Sequence, residues 1–205
     1  IDNEDNLKEE VDILVLKAKN LLNIGDYAES KKCFKRALEI IEKEENKNRI
    51  AKVYLTISNI YSEMGDLDKN IEYSQKVYDI TKREENKYMM ESLFNMIDSH
   101  VQKGEYDRAQ AYCKLALVSS IKNKDKYYEY KSLKFYSDMY KNKKEIEMAI
   151  DYLNKCIHIA QHLEDEQILA SLYIELGKLY SKISKEKELE CYQKGVLIYK
   201  KLNII

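Results

Sequence analysis

Apolar side chains recur along this chain three and four residues apart, the spacing of one face of an α-helix. Between residues 50 and 80 the pattern is clearest. Val53, Tyr54, Ile57, Ile60 and Tyr61 form one stripe, and after Gly65-Asp66 a second runs through Leu67, Ile71, Ser74, Val77 and Tyr78. Glycine just past a helix end is the usual left-handed terminator, and an aspartate after it can cap the next helix. The pattern predicts two amphipathic helices joined by a tight turn.

That unit repeats. IGDYAES (24–30), MGDLDKN (64–70) and KGEYDRA (103–109) superpose without gaps, and KKEIEMA (143–149) is a fourth copy that lacks the glycine. A fifth, less regular copy lies around Ser184–Leu189. Ala37, Val77, Ala116, Cys156 and Gly195 fall 40, 39, 40 and 39 residues apart. One helical hairpin cannot bury both of its apolar faces, whereas three or more stacked hairpins bury each other.

Composition supports a helical reading. The 205 residues include no proline and five glycines, where average usage gives roughly ten and fourteen. Too few glycines remain for a Rossmann fingerprint, a P-loop or a nucleophile elbow, and none of those patterns occurs. Lysine plus arginine (35) balances aspartate plus glutamate (36), which argues against a dedicated nucleic-acid surface. No apolar run is long enough to cross a membrane. Cys33, Cys113, Cys156 and Cys191 show no metal-ligand spacing and read as buried thiols of a cytoplasmic protein. His158 and His162 lie four apart, but two ligands do not make a metal site. His100 reads as a packing residue. No cofactor is expected.

At the turns and small positions the chain resembles the tetratricopeptide repeat family. The family's small residue midway along the first helix of each pair (helix A) is Ala18, Ser58, Ser137 and Gly177 here, with Ile97 a departure. Its turn aromatic is Tyr27 and Tyr106, replaced by Leu67 and Ile146. The first small position of the second helix (helix B) is Ser30, Asn70, Ala109 and Ala149. The resemblance implies an all-α, right-handed superhelical solenoid of five hairpins, with helices A lining a concave groove. Residues 1–205 would form one solenoid domain, with repeats at about 11–46, 47–86, 87–124, 125–165 and 166–202.

The family geometry points residues six, three and two before the helix A small position, and one and four or five after it, into the groove. Candidate peptide-binding residues are Asn59, Phe94, Asn95, Asp98, Gln102, Lys131, Lys134, Phe135, Asp138 and Lys178, with Leu55 as further apolar surface. Asparagine offers both donors and an acceptor, which suits an extended peptide backbone. Asn59, Asn95 and Lys131 occupy three positions of the carboxylate clamp found in co-chaperone members. Leu55 and Phe135 stand where that clamp has cations, with Lys134 one place away as a partial substitute. Period, composition and groove asparagines are also similar to the peptide-pheromone receptors of the Rap, PlcR and NprR type.

These features imply a non-catalytic domain that binds a short peptide or protein segment, as the ligand-sensing part of a bacterial transcriptional or signalling regulator. The alternative is a constitutive interaction scaffold or co-chaperone. The chain begins at Ile1 rather than methionine, as expected of a segment of a longer protein. DNA contact is expected only through a further N-terminal domain, with the acidic opening residues as a linker. For homodimerisation the candidate surface is the C-terminal helix, Leu189–Leu202, with Asn203-Ile204-Ile205.

Overall fold

The computed structural model describes residues 2–204, with side chains for Leu7 and from Glu9 onward. The expectations placed on the acidic opening segment and on Ile205 therefore fall largely outside the described residues. Among those residues there are ten helices and no strand. They are α1 (Asp2–Asn23), α2 (Tyr27–Ile41), α3 (Lys47–Glu63), α4 (Leu67–Thr81), α5 (Lys87–Gln102), α6 (Tyr106–Lys122), α7 (Lys126–Asn142), α8 (Ile146–His162), α9 (Glu166–Tyr180) and α10 (Lys185–Lys201). The chain forms two compact units, Ile1–Tyr112 and Cys113–Ile205, and α6 crosses the boundary. The first unit contains the hairpins α1–α2 and α3–α4, with α5 packed on both α3 and α4. In the second, α7 pairs with α8, α9 pairs with α10, and α8 packs on α9. This is an all-α repeat fold.

At several turns a left-handed residue is followed at once by a capping residue. Gly25, Gly65 and Gly104 have φ of +83°, +76° and +75°. The Gly65 N–H donates to the Ser62 carbonyl (3.0 Å) and the Asp66 N–H to the Tyr61 carbonyl (3.0 Å), so the orphan carbonyls of the helix end are satisfied. The Asp66 side chain then accepts from the Lys69 N–H, capping α4. Asp26, Asn46, Asn86, Asp125, Asp165 and Ser184 cap their helices in the same manner. The fourth copy lost its glycine but not its conformation: Lys144 takes φ +64°, and Glu145 after it makes no side-chain cap hydrogen bond.

Helices A and B meet where the small residues lie. The Ser30 hydroxyl donates to the Ala18 carbonyl at 3.0 Å, and Ser137 to the Ala149 carbonyl at 3.0 Å. In the last hairpin glycine does the same work. A Cβ on Gly195 would sit 2.8 Å from Ile174 Cδ1 and 3.0 Å from the Ala170 carbonyl oxygen. Around these points lie two cores, Val11, Ala18, Ile41, Ile57 and Val77 in the first unit and Leu153, Ala160 and Leu172 in the second. Tyrosines fill the wider gaps. Tyr61 packs between Phe34 (5.8 Å) and Tyr73 (5.7 Å), and Tyr152 between Tyr136 (5.2 Å) and Tyr140 (5.4 Å). All four cysteines are buried, and burial pushes the Cys113 and Cys156 thiols up to about 12. Neither is a nucleophile at neutral pH.

The turn before α8 is thus the weakest built. Lys144→Gly should raise stability by about 1 kcal/mol by removing a strained left-handed residue, and Glu145→Asp by a similar amount by adding a cap. Gly65→Ala should lower it by about 1 kcal/mol or more. Urea denaturation of the three variants checks all these signs.

Candidate functional site

The helices A of the first unit stand side by side, α1 against α3 and α3 against α5. A recurring contact joins neighbours in that row. The residue one place after the small position of one helix A meets the residue two places before the small position of the next.

Between α3 and α5 this contact is an amide pair. Asn95 Nδ2 donates to Asn59 Oδ1 at 2.6 Å and to the Ser58 hydroxyl at 3.2 Å. Both hydrogens of that amide are therefore committed. The Asn59 NH2 group and the Asn95 oxygen have no partner among the described residues. They set N–H donors beside a carbonyl acceptor, the complement of a peptide unit. The pair stands on a buried polar network. Asn70 Nδ2 donates to the Ser58 carbonyl (2.9 Å), Asn70 Oδ1 accepts from Ser99 (2.8 Å), and the Ser58 and Ser74 hydroxyls lie 2.7 Å apart. This network ties α3, α4 and α5 together through buried groups that each have a hydrogen-bond partner.

Between α1 and α3 the same row opens into a cavity of about 330 Å³. Val15, Leu16, Val53 and Ile60 give it apolar walls, and Asp12, Lys19, Lys52 and Thr56 complete the lining. Lys19 pairs with Glu63 at 3.0 Å. No residue of α1 was among the sequence candidates. The signal was present nonetheless, because the positional rule centred on Ala18 selects Asp12, Val15, Leu16 and Lys19.

In the second unit the equivalent contact sets Asp138 of α7 and Glu175 of α9 near one another, with a lysine between. Lys134 Nζ lies 2.7 Å from Asp138 and 3.1 Å from Glu175, and Lys141 lies 3.4 Å from Glu175. Burial pulls the Lys134 pKa down, but its bonds to Asp138 and Glu175 outweigh that and leave it raised. Two lysines and two carboxylates form a neutral cluster. Lys134 is not a spare cation, which corrects its expected role as a substitute in a carboxylate clamp. Lys131 Nζ lies over the Tyr127 ring at 5.6 Å, Phe135 is half-buried against Tyr136, and Lys178 is exposed.

Two further expectations change. Phe94 and Leu55 are only 6% and 5% exposed, so both belong to the core rather than to a binding surface. Both sit three before the small position, about 100° around the helix from the residues two before it. Asp98 and Gln102 are exposed on α5, on the same side as Asn95. His100 is buried, stacked on Tyr112 (5.5 Å) and bonded to Glu105 (2.7 Å). His158 and His162 are exposed, and no group of three or more metal-ligating side chains occurs among the described residues.

A row of helices A carrying polar side chains above an interlocked core defines a helical-repeat scaffold. Two tetratricopeptide repeat family models match residues 9–83 and 132–162, together more than half of the sequence. The chain belongs to the tetratricopeptide repeat family. Solved structures with a similar fold include BtubC (BKLC) from P. vanneervenii, at TM-score 0.79 and 18% identity over 96% of this chain and 82% of that one. The apo form of RapI is similar at TM-score 0.77 and 17% identity, over 95% of this chain and 72% of that one. A Rap protein complexed with competence and sporulation factor gives 0.67 and 14% identity, over 98% of this chain and 58% of that one. No curated protein matches the sequence. No described helix is long and apolar enough to cross a membrane.

Asn70 is the keystone of the polar network. Asn70→Ala should cost about 1–3 kcal/mol, because Ser99 and the Ser58 carbonyl lose their buried partner. An unchanged denaturation midpoint would show that the network does not hold these helices together.

Proposed function

We propose that this chain is a non-catalytic peptide-binding domain that takes a short extended peptide along the helices A of its first unit. The observation that carries this reading is the Asn59–Asn95 pair, whose open donor and acceptor lie next to an apolar cavity on the same helix row. The pair would grip one peptide unit of the ligand backbone, and the cavity would take an apolar side chain near it. Backbone pairing supplies affinity without sequence preference, so the cavity would set specificity.

The domain acts in this reading as the sensing part of a signalling regulator. Support comes from the fold it shares with a Rap protein that binds competence and sporulation factor. A stack of hairpins flexes by small rotations per repeat, so a bound peptide can change its dimensions. A constitutive scaffold would bind without such a change.

Short synthetic peptides, screened by fluorescence polarisation, supply the probe. Asn59→Ala should weaken the selected peptide by about 1–2 kcal/mol, roughly five- to thirtyfold. Thr56→Phe, at an exposed position lining the cavity, should abolish the preference for an apolar side chain while leaving the fold intact. Unchanged affinity in both variants would move the site elsewhere. Small-angle scattering then separates the two roles, since a sensor compacts on binding and a scaffold keeps its dimensions.

A further inference from the structure

The outer face of α10 departs from the other helices B. Its centre is Gln193, with Leu189 and Leu197 four residues to either side and Glu186 and Lys200 seven to either side. All five are exposed, the two leucines at 57% and 69%. Cys191 and Gly195, on the opposite side of the helix, are buried. At the positions of Gln193, Leu197 and Lys200, α8 carries Asn154, His158 and Gln161, and α4 carries Gln75, Asp79 and Lys82. Neither sets two exposed leucines about its centre.

The order of this face is its own mirror image. Laid antiparallel on a second α10 with a two-fold axis at Gln193, each leucine meets the other leucine of the second copy. Glu186 meets Lys200 at both ends, and Gln193 meets itself, an amide that can both donate and accept. A parallel pairing would instead set Glu186 on Glu186 and Lys200 on Lys200. Charge therefore selects the antiparallel arrangement. A two-fold interface requires this self-complementarity, in which residue i contacts j and j contacts i. The apolar stripe of α6 fails the same test. Leu115 and Ile121 flank Val118, but the mirror order sets Lys114 against Lys122 of the second copy.

We infer that α10 is a homodimer contact whose occupant is the α10 face of a second copy, packed antiparallel about Gln193. The face runs from Glu186 to Lys200, about 21 Å of helix. That is short for a permanent dimer, so association is weak and concentration-dependent.

Cysteine cross-linking reads the register directly, because the native cysteines are buried. Gln193→Cys alone should give a disulfide-linked dimer under mild oxidation. Leu189→Cys alone should not, since two copies of that position lie about 12 Å apart along the helices, beyond the roughly 7 Å a disulfide spans. In sedimentation velocity the unsubstituted chain should show a dimer growing with concentration. Lys200→Glu should remove it, and the exchange Glu186→Lys with Lys200→Glu should restore it. All these positions are exposed, and circular dichroism verifies that each variant is folded. A chain that stays monomeric at high concentration overturns the proposal, as does a Leu189→Cys variant that cross-links as readily as Gln193→Cys.

Discussion

The structure depends on how closely helix B can approach helix A within a hairpin. At that point the side chains shrink to serine, alanine or glycine, and a hydroxyl of one helix reaches a carbonyl of the other, as Ser30 does to Ala18 and Ser137 to Ala149. The approach fixes the register of the pair, and the register fixes which residues remain on the open side of helix A. In α3 and α4 it is elaborated. Ser58 and Asn70 exchange hydrogen bonds with each other's backbone, and Asn70 extends the linkage to Ser99 of α5. Asn95 joins the same network through Ser58, so a prospective ligand group is oriented by the bonds that hold the helices.

Most of the fold was legible because the repeat writes its constraints in small residues and turns. Gly25, Gly65 and Gly104 fall where the backbone is left-handed, and after the first two a capping aspartate follows directly. The fourth turn was legible only through its neighbours, since Lys144 keeps the conformation without the residue that favours it. Tertiary packing overrode local preference there.

The candidate surface was legible by position and less so by environment. Asn59 and Asn95 were recognisable from their places relative to the small residue, but their mutual bond depends on how α3 and α5 abut. Phe94 and Leu55 look like binding surface in the same register yet lie in the core, because a single residue's shift turns a side chain through about 100°. Lys134 reads as a free cation in sequence. Its partner Asp138 is one helical turn away, but the other, Glu175, is forty-one residues on in the chain. The mirror order of α10 is written openly in the sequence, but it becomes meaningful only once the outward side of the helix is known.

The central claim is that the Asn59–Asn95 pair meets the backbone of a bound peptide. The side-chain amide resonances of these two asparagines, followed by NMR during titration with a selected peptide, test it most directly. On this account both NH2 groups shift together and saturate with the binding isotherm, the Asn59 group most strongly. Binding that perturbs other resonances while both amides stay in place would contradict it.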